Sequence, residues 1–239
     1  MARRRFFVPQ VRRGVAELTG DEAEHVVRVL RAEVGEVYEI SDNNKLYLAE
    51  IEVARKSLVS FKITEELSTP PPEAEIVLLA ALIKFDRFEW IVEKATELGV
   101  TEIRPFEATR SERGLMQAAA KRRHRWEKIA QESSQQAKRA HLPVIAEALP
   151  FRESLAFNAD LKLMLDEDSR LPIWQLFPPT KNLTDRIALL LGPEGGFTDE
   201  ERDAAHAAGW QSCSLGGTIL RAETAAAAGV SIIKSAWLS

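Results

Sequence analysis

The sequence is poor in cysteine: its 239 residues include only Cys213. A single thiol cannot form a disulfide within the chain or supply the several ligands of a cysteine-rich zinc site. The four histidines, His25, His124, His141 and His206, show no metal-ligand spacing, so we expect no metal centre. A reducing cytoplasm is the simplest location for such a chain.

Long hydrophobic runs are also missing. No apolar stretch approaches the roughly 18 residues of a membrane-spanning helix, so we expect no membrane association. The first residues, Met1 to Val8, are rich in arginine but lack the apolar segment of a secretory signal. A mitochondrial presequence is disfavoured because acidic residues follow from Glu17 onward.

Two common nucleotide-binding signatures are absent. No Gly-Lys-Ser/Thr sequence occurs after a glycine-rich segment, which excludes a Walker A phosphate loop. No Gly-x-Gly-x-x-Gly follows the first predicted strand of the larger domain, which disfavours dinucleotide binding and the usual Rossmann-like methyltransferase.

The net charge of −4 argues mildly against a nonspecific nucleic-acid binder, because such proteins depend on neutralising phosphates. The basic residues are nevertheless grouped. They are Arg3, Arg4, Arg5, Arg12, Arg13, Arg28 and Arg31 near the start, then Arg104, Arg110, Arg113, Lys121, Arg122, Arg123, Arg125, Lys128, Lys138 and Arg139. RNA-binding surfaces and ordinary solvated helix faces both fit this grouping.

The three prolines Pro70, Pro71 and Pro72 predict a stiff connector between domains 1–69 and 73–239. Before it, strands are predicted at 37–40 and 45–51 around a turn at 41–44, with another at 57–63. One short helix is predicted at 21–31. We therefore expect a small N-terminal β-barrel.

After the prolines, strands and helices alternate, which predicts a parallel sheet with helices on both faces and an α/β fold. The strands are predicted at 76–83, 102–106, 161–165, 187–191 and 211–215. Helices are predicted from an Asp86/Glu89 capping box to Gly99, at 118–138, from a Thr198/Glu201 capping box to Gly209, and from Glu223 to about Trp237.

Two glycine-rich loops follow predicted strands. The first is Leu191-Gly192-Pro193-Glu194-Gly195-Gly196-Phe197, and the second is Leu215-Gly216-Gly217-Thr218-Ile219-Leu220-Arg221. Open α/β sheets bind ligands at the carboxyl ends of their strands, and glycine lets the backbone approach a ligand closely. A tight turn alone would also explain the first loop, and a solvated salt bridge would explain Arg221 and Glu223.

The two loops, the second continuing as Ala222-Glu223-Thr224-Ala225, resemble those of the small-subunit ribosomal RNA uridine-N3 methyltransferase family of SPOUT enzymes. The resemblance covers nearly the whole chain. Further matching segments are 4–8, 25–31, 84–87, 94–100 and 126–130. Two departures are local: Gln135-Gln136-Ala137-Lys138-Arg139 lacks the family's usual acidic residue, and Gly217-Thr218 replaces bulkier residues.

The resemblance implies a C-terminal SPOUT domain with a trefoil knot, a PUA-like N-terminal domain, a homodimer and S-adenosylmethionine as cofactor. The implied activity is methylation of N3 of a uridine in 16S ribosomal RNA, with the RNA in the small ribosomal subunit. Two alternatives stay open. One is a SPOUT methyltransferase acting on a ribose 2′-hydroxyl or another base, and the other is a noncatalytic rRNA-binding assembly factor.

Site residues follow from the same resemblance. The cofactor would be held by Leu165, Leu191, Gly192, Gly196, Leu215, Gly216, Ile219, Leu220 and Thr224. Arg221 would stabilise negative charge on the uracil, and Glu194 and Glu223 are candidate bases that the sequence does not separate. RNA would be contacted by Arg4, Arg5, Arg28, Arg31, Arg110 and Arg139.

Overall fold

The computed structural model describes residues 4–69 and 73–237. The chain divides into two compact units, the first Met1–Pro71 with Ser134–Leu142 and the second Pro72–Ser133 with Pro143–Ser239. The predicted boundaries 1–69 and 73–239 differ in that residues 134–142 group with the N-terminal unit. The predicted connector at Pro70, Pro71 and Pro72 lies outside the described residues.

The N-terminal unit contains a six-stranded sheet and one helical segment. Its elements are β1 (Arg5–Phe7), β2 (Val11–Arg12), β3 (Val15–Thr19), α1 (Gly20–Glu24), a π-helical turn (His25–Val29), β4 (Val37–Ser41), β5 (Leu46–Arg55) and β6 (Leu58–Leu67). The strand order is β1-β4-β5-β6-β3-β2, and every pair is antiparallel except β1 with β4.

The hairpin predicted around residues 41–44 is confirmed, because β4 and β5 pair with Ser41 opposite Leu46. Oδ1 of Asp42 accepts hydrogen bonds from the backbone amides of Asn44 and Lys45, at 3.0 and 2.7 Å. An aspartate that satisfies amides two and three residues ahead is typical of tight turns. The side chain of this residue therefore sets the turn that brings the two strands into register.

Residues 134–142 are tied to the N-terminal sheet by hydrogen bonds at the end of β4. The hydroxyl of Ser41 donates to the carbonyl of Ala140 at 2.7 Å, and the Leu142 amide donates to Oδ1 of Asn43 at 2.6 Å. These contacts join positions about a hundred residues apart in sequence. Local sequence patterns could not have predicted them, because such patterns report only on neighbouring positions.

The C-terminal unit is built on a seven-stranded parallel sheet. Its elements are β7 (Glu75–Ala81), α2 (Phe85–Glu97), β8 (Glu102–Glu107), α3 (Leu115–Gln136, whose last residues enter the segment 134–142), β9 (Val144–Ile145), β10 (Leu149–Pro150), α4 (Phe151–Ser154), β11 (Leu161–Leu165), a 3-10 turn (Ile173–Leu176), β12 (Arg186–Leu191), α5 (Asp199–Ala207), β13 (Gln211–Cys213) and α6 (Ala222–Trp237). The strand order is β10-β8-β7-β12-β11-β13, with β9 paired to β8.

Both faces of this sheet are covered by helices, as predicted. Alternate residues of β7 enter two separate hydrophobic clusters, with Leu78 in one and Leu79 in the other. Helices α2, α3 and α6 pack in the first cluster, and α4 and α5 pack in the second. A strand buried on both faces must be apolar at every position, which explains the continuous apolar run at residues 76–83.

The two predicted capping boxes have different outcomes. Thr198 and Glu201 form the predicted box at the start of α5, where each side chain accepts a hydrogen bond from the other's backbone amide. The Asp86/Glu89 box is wrong, because α2 begins at Phe85 without a side-chain cap. The Glu89 carboxylate instead accepts hydrogen bonds from Arg125 at 2.6 and 2.7 Å.

A close approach between α6 and the sheet requires glycine at position 229. A Cβ built on Gly229 would stand 2.8 Å from Cδ2 of Leu189 on β12 and 3.4 Å from Cδ1 of Leu165 on β11. The small residues of α6 therefore let this helix lie directly on β11 and β12. Among the described residues, no helix combines the length and apolar character needed to cross a membrane.

Candidate functional site

The carboxyl ends of three parallel strands are aligned at one edge of the sheet. Leu165, the last residue of β11, pairs with Leu191 at the end of β12 and with Cys213 at the end of β13. Strand β11 lies between the other two, so the chain segments that follow all three strands begin side by side. This is the position at which open α/β sheets bind ligands.

The first glycine loop, residues 191–197, is folded tightly on itself. Gly196 has a φ of +68°, which favours glycine, and its amide donates to the carbonyl of Pro193 at 2.9 Å. A Cβ on Gly192 would stand 3.0 Å from Cε2 of Phe197, so the ring packs directly against the backbone. Arg110 donates to the carbonyls of Gly195 and Phe197 at 2.6 and 3.3 Å.

The contacts of Arg110 bear on its predicted role. Its guanidinium holds the first glycine loop through two carbonyl oxygens while the side chain stays exposed. The structure therefore gives Arg110 a loop-supporting contact in addition to any role with RNA, which stays a prediction.

The second glycine loop, residues 215–221, is held by Ser214, the residue before it. The Ser214 hydroxyl donates to the carbonyl of Gly216 at 2.9 Å and accepts from the Gly216 amide at 3.2 Å. Gly216 has a φ of +144°, and neither Gly216 nor Gly217 has a neighbouring atom within 4 Å of a built Cβ. Open space beside two glycines leaves the backbone of this loop accessible to a ligand.

A cavity of about 820 Å³ lies against both loops. This volume is within the range of small-molecule and cofactor sites. All the predicted cofactor-binding residues except Thr224 line it: Leu165, Leu191, Gly192, Gly196, Leu215, Gly216, Ile219 and Leu220. The predicted catalytic residues Arg221 and Glu194 also line it, whereas Glu223 does not.

The three predicted catalytic residues differ in their exposure and in their ion-pair partners. Glu194 is ion-paired with Arg87, a residue at the start of α2. Arg221 is exposed and, among the described residues, has no ion-pair partner. Oε2 of Glu223 is buried and lacks a hydrogen-bond partner within the described part of the chain. Glu194 therefore lines the cavity and is ion-paired, whereas Glu223 does not line it and has a buried oxygen without a partner among the described residues, a difference that the sequence alone does not show.

Several lining residues were not assigned to the site from the sequence. They are Arg87, Asp166, Glu167, Ser169, Arg170 and Trp174. Most of them follow β11, and Leu165 was the only residue in this part of the chain that was assigned to the site from the sequence. The position after a buried parallel strand was the available signal, because the chain there must lie beside the two glycine loops.

Arg5 is the predicted RNA-binding residue whose position does not support that role. Its side chain is buried, and its Nε and Nη2 atoms donate to Oε2 of Glu39 at 3.1 and 2.8 Å. Its Nη1 atom donates to the carbonyl of Lys138. The guanidinium is therefore used to fix the segment 134–142 to the N-terminal sheet, and it is not presented to solvent.

The remaining predicted RNA-binding residues of the N-terminal unit lie nearer to solvent. Arg4, Arg28 and Arg31 are exposed, and Arg28 forms an ion pair with Glu24 at 2.7 Å. Arg139 is partly buried, and this burial lowers the pKa of its guanidinium to about 10. Arg3 lies outside the described residues.

Comparison with known proteins gives the same family across both units. Residues 70–234 match the RNA methyltransferase domain family, and residues 18–64 match the RNA methyltransferase PUA domain.

No cluster of three or more histidine, cysteine, aspartate or glutamate side chains in residues 4–69 and 73–237 has the arrangement of a metal site.

Similar proteins cover nearly the whole chain. Ribosomal RNA small subunit methyltransferase E of Bacillus subtilis is 30% identical over 237 residues, covering 92% of this chain and 92% of that protein. Its Synechocystis counterpart is 32% identical over 223 residues, covering 90% of this chain and 71% of that protein. The crystal structure of the Neisseria gonorrhoeae methyltransferase E bound to S-adenosyl methionine has a TM-score of 0.88 at 28% identity, covering 99% of this chain and 98% of that one. The chain belongs to the SPOUT-class RNA methyltransferase family that includes ribosomal RNA small subunit methyltransferase E.

Proposed function

We propose that this protein transfers the methyl group of S-adenosylmethionine to N3 of a uridine in 16S ribosomal RNA. The observation that carries the proposal is the cavity formed by three aligned strand ends and two glycine loops. The names of the similar proteins specify small-subunit ribosomal RNA, and two similar structures contain the cofactor. The uridine N3 position rests on the resemblance of the loop sequences.

The residues present fit S-adenosylmethionine. Leu165, Leu191 and Leu215 provide apolar surface for an adenine ring, and the open backbone at Gly216 and Gly217 provides amides and carbonyls for its polar edge. When bound, the cofactor supplies an electrophilic methyl group on a positively charged sulfur. The chain's own residues then have to orient the uracil, remove its N3 proton and exclude water.

Arg221 is the proposed electrostatic catalyst. Uracil N3 attacks well only after losing its imide proton, and the resulting negative charge spreads onto O2 and O4. Arg221 lines the cavity without an ion-pair partner among the described residues, so its guanidinium is available to stabilise this charge.

Glu194 is the better-placed proton acceptor of the two candidate carboxylates. It lines the cavity, and its Oε1 atom is held by Arg87. The N3 proton would pass to its Oε2 atom directly or through a water molecule. Glu223 lies in the first turn of α6 and does not line the cavity, so we assign it no part in the proton transfer.

The wider assembly is part of the proposal. The target base would have to leave its stack to reach the cavity. Arg4, Arg28 and Arg31 of the N-terminal unit, with Arg110 and Arg139, would contact the surrounding phosphates. We further propose a homodimer, a trefoil-knotted C-terminal domain, and the small ribosomal subunit as the form in which the RNA is recognised.

Methyl transfer followed by nucleoside analysis tests this function. The protein is incubated with methyl-labelled S-adenosylmethionine and small ribosomal subunits that lack the modification, and the RNA is digested for mass spectrometry. We expect the label in 3-methyluridine. Label in a 2′-O-methylated nucleoside or another base would refute the N3 assignment while keeping the methyltransferase. Cofactor binding without any label, or no binding at all, would favour a noncatalytic rRNA-binding role.

A further inference from the structure

Glu167 is a cavity-lining carboxylate for which neither the sequence nor the proposed mechanism has a role. It follows the end of β11 by two residues and is exposed to solvent. Within residues 4–69 and 73–237, no hydrogen bond or ion pair to its carboxylate is found. A carboxylate offers only acceptors, so both of its oxygens are available to donors on a ligand.

The acidic residues on either side of Glu167 are both bound to one arginine. Arg202 of α5 donates from Nε to both carboxylate oxygens of Asp166 at 3.2 Å and from Nη2 to Asp168 at 2.7 Å. Asp166 is buried, and it also accepts from the Ser212 hydroxyl at 3.2 Å. The flanking aspartates are therefore ion-paired with Arg202, while Glu167 between them lines the cavity. Such support is what a preorganised binding residue requires.

The first glycine loop makes room for the Glu167 side chain. A Cβ built on Gly196 would overlap with Oε1 of Glu167 and stand 3.1 Å from its Cδ. Any other residue at position 196 would displace this carboxylate, in addition to straining a backbone whose φ is +68°. The absence of a side chain at Gly196 thus lets Glu167 stand between the end of β11 and the loop after β12.

We propose that Glu167 accepts hydrogen bonds from the ribose hydroxyls of bound S-adenosylmethionine, a proposal that rests on the function proposed above. The apolar surface that suits adenine includes Leu165, only two residues before Glu167. The ribose is bonded directly to the adenine, whereas the ammonium group lies at the far end of the ligand. The two hydroxyls of a ribose present two donors, which match the two oxygens of one carboxylate.

The test is calorimetric and needs no RNA. S-adenosylmethionine, 5′-methylthioadenosine and 2′-deoxy-5′-methylthioadenosine are titrated into the full chain and into Glu167→Ala and Glu167→Gln variants. Methylthioadenosine keeps the ribose but lacks the ammonium and carboxylate groups. Glu147→Ala is the control, because Glu147 is exposed, forms one ion pair with Arg123 at 3.2 Å and does not line the cavity.

We expect Glu167→Ala to weaken S-adenosylmethionine and methylthioadenosine by the same factor, about 10- to 100-fold, since a hydrogen bond to a charged group has this value. Glu167→Gln keeps one acceptor and is expected to lose less. In the unaltered chain the 2′-deoxy analogue binds more weakly than methylthioadenosine, and in Glu167→Ala the two bind alike.

Three results would overturn the proposal. Weakening of S-adenosylmethionine alone would assign Glu167 to the ammonium group. Unchanged affinity of all three ligands in Glu167→Ala would remove Glu167 from the site while leaving the proposed function intact. Failure of the unaltered chain to bind S-adenosylmethionine would refute the proposed function itself. Thermal unfolding of each variant confirms that affinity is compared between folded proteins.

Discussion

The two units of this protein position their candidate functional residues by different physical means. In the C-terminal unit the parallel strands align at Leu165, Leu191 and Cys213, so strand register alone brings the glycine loops together. In the N-terminal unit the sheet is almost entirely antiparallel, and the exposed arginines Arg28 and Arg31 lie on and after a helical turn. The glycine loops could be located from the sequence, because strand register determines where they lie. The role of each N-terminal arginine depends instead on its contacts, which the sequence does not give.

The largest expected effect comes from disturbing the sheet that aligns the loops. Gly229→Leu forces a side chain into the contact between α6 and Leu189, where a Cβ alone would stand at 2.8 Å. Overpacking of this kind costs about 3 kcal/mol. Urea unfolding measures the loss. Ser231→Leu, at an exposed position of the same helix, is expected to change the free energy of unfolding by less than about 0.5 kcal/mol. Equal losses in both variants would contradict the close-packing account.

Arg5 and Arg28 differ in exposure within the N-terminal unit, so their substitutions are expected to have different effects. Arg5→Ala leaves the partly buried Glu39 without its main partner and is expected to lower the free energy of unfolding by about 2 kcal/mol. Arg28→Ala removes an exposed ion pair and is expected to have little effect on stability. For rRNA binding we expect the opposite order of effects, with Arg28→Ala weakening binding more than Arg5→Ala. The slope of log K against the logarithm of the salt concentration should fall in magnitude by about 1 for Arg28→Ala. An Arg5→Ala variant of normal stability with weakened RNA binding would reverse our assignment.

Alkaline pH tests the burial of the strand end at β13. Burial, and secondarily the charge of Asp166, raises the pKa of the Cys213 thiol from 9.0 to about 12. Above pH 9 the unfolded chain loses this proton while the folded chain keeps it, so stability falls as pH rises toward 12. The loss is about 1.4 kcal/mol by pH 10, and Cys213→Ala should lack it. Rapid reaction of the folded protein with a thiol reagent at pH 8 would contradict the buried, protonated thiol.

The smallest expected effect concerns the helix that follows the first glycine loop. Thr198→Ala removes the hydroxyl that caps α5, and with it about 1 kcal/mol of stability. Chemical denaturation measures this change. Thr198→Ser keeps the oxygen and should retain most of the stability, and a Ser variant as unstable as the Ala variant would argue against capping as the cause.

The sequence predicted the alternation of strands and helices along the chain, the hairpin after β4 and the capping box at Thr198, because each depends on neighbouring residues or on a repeating pattern. It failed at Asp86, since Glu89 is engaged by Arg125 from another helix. It also missed the attachment of residues 134–142 and the burial of Arg5. Both arise from contacts between positions far apart in sequence, which periodicity does not report.

The candidate site shows the same division. The glycine loops were visible because glycine marks unusual backbone geometry, and Gly196 and Gly216 do have positive φ values. Glu167 was not visible, because an acidic residue in an Asp-Glu-Asp segment has the composition of a solvated loop. It is distinguished only in the structure, where Arg202 binds its two neighbours and Gly196 leaves room for its side chain.

Arg221 is proposed to stabilise the uracil anion and not merely to help hold the cofactor. The most direct measurement compares kcat for rRNA methylation with the calorimetric Kd for S-adenosylmethionine in the unaltered chain, Arg221→Lys and Arg221→Ala. We predict that Arg221→Ala lowers kcat by about 10²- to 10³-fold while the Kd stays within about twofold, and that lysine restores part of the rate. Near-normal turnover in Arg221→Ala, or a loss explained entirely by a weaker Kd, would contradict the account.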